Sequence, residues 1–211
     1  MTHFKKTDFK NMDQRYRAQF INSLSGFKSV NLVGTVNENG HSNLSIVSSV
    51  FHLGANPPLM GFIMRPVTVT RDTYHNIITT QSFTFNHIQD SFYKKAHQTS
   101  ARYPALISEF NEVGLTEEYG NVIKAPYVKE SAIKIGLDFR EKKEIELNGT
   151  VLIIGEIVEV FCSENCLEED GYLNIEKAGT LTCSGLDTYH ETKKLGKLSY
   201  PKPDKKTTRI K

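Results

Sequence analysis

The stretch best suited to holding a ligand is the strand-like run from Ser42 to Phe51. Alternate residues of a strand point to opposite faces, so one face carries Asn43, Ser45, Val47, Ser49 and Phe51. The other face carries Leu44, Ile46, Ser48 and Val50. No residue in the run is charged, which favours a sheet face covered by a polar molecule that excludes most water. An ordinary half-buried strand with a serine-rich outer face fits the pattern equally well.

A second group of residues suits a phosphate. Arg65 and Arg71 flank a loop that leads into a predicted short helix, for which Thr70 or Asp72 is the expected N-cap. Thr73 adds a hydroxyl in the first turn. Backbone N–H groups at a helix N-terminus point outward, and arginine offers a planar fork of donors. The pattern indicates a phosphate site, although arginine and threonine in such a loop are more often simply solvated.

A third group is the run from Ala96 to Ala101, which holds His97, Gln98 and Ser100 between two alanines. A single histidine is usually structural or exposed. Several hydrogen-bonding side chains beside small residues are more unusual, because the alanines leave room for another molecule to approach.

The elements that must position these groups form an antiparallel sheet. Asn39-Gly40 and Asn148-Gly149 each lie between strand-like runs, which is a strong signal of a hairpin because both residues accept positive φ. Strands are predicted at residues 30–36, 42–51, 82–88, 132–139 and 150–161, with a further strand between Pro58 and Arg65. The strands do not alternate with helices in a βαβ rhythm. The economical architecture is a closed or partly closed antiparallel barrel, because closure removes exposed sheet edges.

Helices are predicted at several points around this sheet. Apolar residues at helical spacing predict one helix from about residue 8 to 27, which either packs on its own sheet or contacts another copy. Further helices are expected from Asp90 through Ala96 and at residues 105–113. We find no repeat and no domain boundary, so the chain is predicted to be a single domain over residues 1–211, with a solvated basic tail at about 193–211.

Composition excludes several classes of protein. The formal net charge of +2 over 211 residues is too small to favour nucleic acid. No apolar run is long enough to span a membrane, and the N-terminus lacks the features of a secretory signal. The three cysteines have neither zinc-site nor redox-motif spacing. We therefore expect free thiols, no metal site and a cytoplasmic location.

Common catalytic motifs are also missing. The sequence has no dinucleotide-binding glycine motif, no Walker loop, no HExxH and no GxSxG. Nothing distinguishes Ser48 or Ser49 as a nucleophile. A cofactor that carries the chemistry itself is the alternative, and a flavin suits it because hydride moves directly to and from N5. The uncharged strand face suits the flavin ring, and the Arg/Thr loop suits its phosphate.

The order of these features resembles the flavin reductase-like proteins of the FMN-binding split-barrel group, in particular the flavoredoxin type. The resemblance covers roughly residues 28 to 190. It rests on the following ordered set: the Asn39-Gly40 hairpin, Ser45 to Ser49, Asn56 to Leu59, Arg65 with Thr73, Ser82 to Asn86, Ala96 to Ala101, Ser108 to Phe110 with Gly114-Leu115, Ala125-Pro126, and Asn148 to Ile157.

This resemblance implies an antiparallel split β-barrel, mainly β with inserted helices, that forms a homodimer and binds FMN near the dimer interface. The side chains it places at the flavin ring and ribityl chain are Asn43, Ser45, Val47, Ser48 and Ser49. Those it places near the phosphate are Arg65, Arg71, Thr73 and Ser100. His97 and Gln98 are expected close to the flavin, with Asn86 and His87 as weaker candidates. No side chain is expected to be catalytic, because FMN carries the chemistry.

One feature departs from the group. Many of its reductases have a serine-rich turn after the position of Arg65, where this chain has Pro66-Val67-Thr68-Val69. The phosphate contact is therefore expected mainly from Arg71 and Thr73.

The resemblance leaves three functions open. The first is an FMN-dependent oxidoreductase that passes hydride from NAD(P)H to FMN and on to an acceptor, which could be a redox partner protein. The second is a flavoredoxin-type electron carrier without pyridine-nucleotide activity. The third is a split-barrel or OB-like binding module without flavin.

Overall fold

The structure is a computed structural model and describes residues 1–66, 71–104 and 106–210. Its helices span Lys6–Asn11 (α1), Gln14–Ser23 (α2), Asp72–Thr80 (α3), Tyr93–Gln98 (α4) and Glu109–Val113 (α5), with a 3-10 turn at Glu164–Cys166. The long strands span Lys28–Val36 (β1), Ser42–Ala55 (β2), Pro58–Met64 (β3) and Ser82–His87 (β4). Two short strands follow at Glu117–Glu118 (β5) and Tyr127–Val128 (β6), and two long ones at Ile133–Ile145 (β7) and Thr150–Cys162 (β8). The last four are Thr182–Ser184 (β9), Thr188–His190 (β10), Lys197–Leu198 (β11) and Arg209–Ile210 (β12).

Six antiparallel strands close into a barrel in the order β1-β2-β3-β8-β7-β4, because β4 also pairs with β1. β9 and β10 extend the sheet beyond β1. The two hairpins predicted from Asn-Gly pairs join β1 to β2 and β7 to β8, and both Gly40 and Gly149 have positive φ. The prediction of a mainly antiparallel split barrel with inserted helices is confirmed.

Two packed layers of apolar side chains stabilise this barrel. Phe62, Phe83 and Phe85 form the aromatic centre of the interior, with ring centroids 5.3–5.8 Å apart. A second cluster lies outside β1 and β2, where Phe92 and Phe110 come from the α4 and α5 regions. α4 and α5 are therefore held against the outer face of β2.

A bulge in β2 changes the predicted alternation of faces. Asn31 of β1 pairs with Val47, whereas Ser29 pairs with Val50, so β2 has one residue more than its partner here. As a result Val47 and Val50 both pack on the barrel interior, while Leu44 belongs to the second cluster. The prediction that Val50 shares a face with Leu44 is wrong, because the extra residue reverses the alternation.

Several predicted helix boundaries also differ. The single helix expected at residues 8–27 is two helices, since the carboxylate of Asp13 accepts hydrogen bonds from the N–H groups of Arg15 (2.9 Å) and Tyr16 (3.1 Å) and begins a new helix there. The residue at the N-cap of α3 is Arg71 rather than Asp72, and Thr70 lies outside the described residues. The helix expected from Asp90 begins at Tyr93.

Other elements differ in length. The helix predicted at 105–113 covers only Glu109–Val113, with residue 105 outside the described chain. β7 continues past the predicted residue 139 to Ile145, because it pairs with β8 along the whole hairpin. Residues 193–210 of the basic tail are exposed, except 197 and 199, which are partly exposed. Within this tail β11 pairs with β12, and Lys197 lies 5.1 Å from the centroid of the Tyr172 ring. Within residues 1–66, 71–104 and 106–210, no helix is both long and apolar enough to cross a membrane.

Candidate functional site

A cleft of about 800 Å³ lies between β2, the N-terminus of α3, the end of α4 and the β9–β10 hairpin. Most of the sequence-predicted residues line it, although they come from three separate segments. Ten of them do so: Asn43, Ser45, Val47, Ser48, Ser49, Arg65, Arg71, Thr73, His97 and Ser100. The structure therefore brings the polar strand, the arginine loop and the 96–101 cluster to one place.

A buried network of polar side chains fixes the N-terminus of α3 against β2. The amide of Asn43 donates to the Thr73 hydroxyl at 2.9 Å, and that hydroxyl donates to Ser45 Oγ at 3.0 Å. One turn further along α3, the amide of Asn76 donates to the hydroxyl of Thr35 at 3.1 Å. Because Asn43, Thr73 and Asn76 are all buried, these bonds set the angle at which α3 meets the cleft.

Ser49 has a structural partner as well as a position in the cleft. Its hydroxyl accepts a hydrogen bond from the Ile63 N–H and donates one to the Ile63 carbonyl, both at 3.1 Å. These two bonds link β2 to β3 beside the bulge. The Ser49 side chain therefore shapes the wall of the cleft through the backbone of β3.

Three arginines converge on the end of the cleft near α3. Burial lowers the pKa of Arg71, and the nearby positive charges of Arg65 and Arg102 lower it further. Nε of Arg71 donates to the carbonyl of Pro66 at 3.0 Å, which leaves its terminal nitrogens for other partners. Sequence reasoning missed Arg102, although it follows the 96–101 cluster directly. Like-charged groups held this close favour the binding of an anion.

Two carboxylates also line the cleft, and they limit its positive charge. Asp72 lies in the first turn of α3 and Glu109 in the first turn of α5. The carboxylate of Glu109 accepts a hydrogen bond from the N–H of Leu44 at 2.9 Å. Burial raises the pKa of Glu109, and the negative charge of Asp72 acts in the same direction, while the bond from Leu44 opposes it.

A further wall of the cleft comes from residues that sequence reasoning missed. Cys183 of β9 and Tyr189 of β10 both line the cleft. Burial raises the pKa of the Cys183 thiol, while the charge of Lys28 and a hydrogen bond with Ser48 act in the opposite direction. Nothing in the separate strands marked these two residues, since only the β9–β10 hairpin brings them to the cleft.

Three of the sequence-predicted residues do not line the cleft. Asn86 is fully buried, where its amide donates to the Leu32 carbonyl and its oxygen accepts from the Val128 N–H. His87 is half-buried and lies 2.9 Å from the Thr180 hydroxyl through Nδ1. Burial lowers the pKa of His87 to about 4. Gln98 is exposed. None of these three residues is therefore assigned to a ligand.

The arrangement of charge in the cleft fits a molecule with a phosphate at one end and a polar ring system at the other. Arg71 and the start of α3 supply donors and positive charge at one end. The Ser45–Ser49 stretch supplies small, uncharged hydrogen-bonding groups along its length. The volume lies in the range of about 300–1,000 Å³ that is usual for cofactor pockets. Across the described chain, no group of three or more His, Cys, Asp or Glu side chains is arranged to hold a metal ion.

The fold and the cleft define a closed antiparallel barrel with a ligand-sized site, and comparison with known proteins gives the family. Residues 24–180 match the model of the flavin reductase like domain. The chain therefore belongs to the flavin reductase-like family.

Solved structures agree with this assignment. A candidate flavin reductase with a split barrel domain from Shewanella frigidimarina is 49% identical, covers 95% of this chain and 100% of its own, and superposes with a TM-score of 0.92. Nitrilotriacetate monooxygenase component B from Bacillus cereus shares the fold at 22% identity, with coverage of 94% and 98% and a TM-score of 0.81. Flavoredoxin from Desulfovibrio vulgaris shares it at 23% identity, with coverage of 85% and 92% and a TM-score of 0.70.

Proposed function

We propose that the protein is an FMN-dependent oxidoreductase that takes hydride from NAD(P)H and passes electrons to an acceptor. The observation that carries the FMN part of the proposal is the convergence of Arg65, Arg71 and Arg102 at one end of a cleft whose β2 wall is uncharged and presents serine side chains. This distribution suits FMN, whose charge is confined to a terminal phosphate. Riboflavin lacks that charge.

The roles of the side chains follow from their positions. Arg71 and Thr73 lie where α3 begins and bind the phosphate, with Arg65 and Arg102 adding positive charge around it. The Thr73 hydroxyl accepts from Asn43 and donates to Ser45, so it fixes the start of α3 against β2 and the backbone N–H groups there are oriented before the ligand arrives. Donors that are already fixed reduce the conformational entropy that is lost when the ligand binds.

The strand wall and the 96–101 segment contact the rest of the ligand. Ser45, Val47 and Ser48 line the flavin ring and ribityl chain, with His97 close to the flavin, and all four side chains line the cleft. Bound FMN supplies the capacity to accept and donate hydride at N5. The chain supplies orientation, hydrogen bonds and a surface that excludes part of the surrounding water.

Steady-state oxidation of NADH and NADPH, with FMN added to the purified protein, tests the activity. Turnover with either nucleotide supports the oxidoreductase. Tight binding of FMN without turnover supports instead a flavoredoxin-type electron carrier. Protein that is purified without colour and takes up no added FMN contradicts both, and leaves a binding module without flavin.

We also propose that the chain forms a homodimer. Phe51 and Leu53 of β2 are 37% and 47% exposed, and Val160 and Phe161 of β8 are 48% and 40% exposed, which is unusual for apolar side chains on barrel strands. Light scattering should give the mass of a dimer, and Leu53→Glu should shift it towards the monomer. The control is Leu147→Glu in the β7–β8 turn, where the leucine is 97% exposed and the change should have no effect.

The acceptor and the compartment belong to the same proposal. A redox partner protein or a small molecule would take the electrons from the cleft. All three cysteines are free thiols, which supports a reducing compartment such as the cytoplasm.

A further inference from the structure

One wall of the cleft is built by a segment outside the part of the chain that matches the family model. The match ends at residue 180, whereas the β9–β10 hairpin, which contributes Cys183, Leu186 and Tyr189 to the cleft, lies beyond it. The matched domain therefore supplies no role for these residues, and their contacts with the rest of the cleft indicate what they do.

Tyr189 makes a directed contact with a residue of the matched domain. Its hydroxyl oxygen lies 2.9 Å from Nδ1 of His97, and the two rings meet edge to face with centroids 5.8 Å apart. Within the described residues, His97 has a hydrogen-bond partner only at Nδ1, so Nε2 is the ring nitrogen left for a bound molecule. The pair thus joins the 181–190 segment to α4 across the rim of the cleft.

Tyr189 is itself well fixed. Its ring packs on that of Tyr93 with centroids 5.3 Å apart, and its strand position is opposite Cys183. Burial, with smaller contributions from Cys183 and Asp187, raises the pKa of Tyr189 to about 12. The phenol therefore keeps its proton at neutral pH and is able to donate it in a hydrogen bond.

The same wall reaches the polar strand. Cys183, the strand partner of Tyr189, lines the cleft together with Ser48 of the polar strand. The Tyr189–His97 pair consequently borders the part of the cleft that would hold the flavin ring and ribityl chain.

We propose that Tyr189 is a positioning residue that donates to Nδ1 of His97 and so fixes the imidazole with its Nε2–H directed at the bound flavin. This assignment rests on the proposed function, since it requires FMN in the cleft. Donation by Tyr189 selects the tautomer that carries the proton on Nε2. A donor at that position binds reduced flavin, which carries more negative charge, more tightly than oxidised flavin.

A double-mutant cycle tests the assignment. Tyr189→Phe keeps the ring and its packing on Tyr93 but removes the hydroxyl, and we expect FMN to bind about three- to tenfold more weakly, which corresponds to the loss of one hydrogen bond. If Tyr189 acts through His97, adding Tyr189→Phe to His97→Ala should weaken FMN by less than about twofold more. Fluorescence titration with FMN measures all four proteins.

The midpoint potential of bound FMN gives a second readout, which a purely structural role would not move. Loss of the oriented donor should make the midpoint potential more negative by about 15–30 mV. For a two-electron couple, this shift corresponds to a loss of affinity that is about three- to tenfold larger for reduced FMN than for oxidised FMN. The matched control is Tyr93→Phe, which removes a neighbouring hydroxyl outside the cleft lining and should change neither quantity. The asparagine of His97→Asn can keep the contact with Tyr189 but cannot reach the flavin. This variant should therefore show the same FMN affinity and the same midpoint potential as His97→Ala.

Two results overturn the assignment alone. In the first, Tyr189→Phe changes neither the FMN affinity nor the midpoint potential. In the second, Tyr189→Phe weakens FMN binding as much in the His97→Ala background as it does in the wild type. A wild-type protein that takes up no FMN overturns the proposed function and this assignment together. The wild-type titration thus distinguishes the two failures.

Discussion

Replacing Arg71 with alanine should weaken FMN much more than riboflavin. Arg71 is the half-buried N-cap residue of α3, and it lies close enough to Arg65 and Arg102 for their charges to lower its pKa. In the absence of a ligand, the positive charges of Arg65 and Arg102 repel the guanidinium group of Arg71. A phosphate that enters this cluster relieves the repulsion and accepts hydrogen bonds from the guanidinium group.

The magnitude follows from the hydrogen bonds that the phosphate would lose. A hydrogen bond to a charged partner contributes about 1.5–3 kcal/mol, which corresponds to a roughly ten- to 150-fold weaker affinity for FMN. Riboflavin has no phosphate, so its affinity should change by less than about twofold. The free energy of unfolding should change little, because the substitution removes a charge that lies among like charges. Within the described chain, the Arg71 side chain makes one hydrogen bond, 3.0 Å from Nε to the Pro66 carbonyl.

Fluorescence titration of wild type and Arg71→Ala with both flavins gives the comparison, and thermal unfolding shows whether the fold is retained. Arg71→Lys keeps the charge but loses the planar fork, and we expect an intermediate affinity. The FMN affinity of wild type should also fall with rising salt, more steeply than that of Arg71→Ala. Equal losses of FMN and riboflavin affinity would refute the placement of the phosphate at Arg71.

Three further predictions concern the surrounding structure. Thr73→Val should lower the free energy of unfolding by about 1–3 kcal/mol, because the buried amide of Asn43 loses its 2.9 Å partner; urea denaturation measures this, and an unchanged midpoint would contradict the network. Ser49→Ala should destabilise the protein by a similar amount, about 1–3 kcal/mol, through the two bonds to the backbone of Ile63, and a loss of FMN binding without any loss of stability would show that the hydroxyl serves the ligand instead. His87, whose pKa is lowered by burial from the usual 6.5 to about 4, remains neutral in the folded state while the unfolded state takes up a proton. Stability should therefore fall by up to about 3 kcal/mol as the pH drops from 6.5 to 4, and a His87→Gln variant should lose this part of the pH dependence.

The barrel could be predicted from local signals. Asn-Gly pairs identified both long hairpins, and the uncharged polar pattern of β2 located one wall of the cleft. These features depend on a few consecutive residues, whose backbone preferences and alternation are properties of the sequence itself. The arginine loop and the 96–101 cluster could be proposed in the same way.

The remaining features depend on contacts between distant segments. Neighbouring residues give no sign of the bulge that brings Val47 and Val50 to the same interior, because it arises from the pairing of β2 with β1. Asn86 resembles a ligand-binding residue in sequence, yet its amide stabilises the backbone of the barrel. Tyr189 reaches the cleft only because β9 pairs with β1 and turns back through β10.

The identity of the ligand is the central claim, and equilibrium titration with FMN followed in the visible spectrum tests it most directly. The purified protein should bind FMN with a shifted flavin absorption band and should release unmodified FMN on denaturation. The wild-type affinity for FMN should clearly exceed that for riboflavin. A protein whose cleft takes up neither flavin, or binds riboflavin as tightly as FMN, would contradict the account.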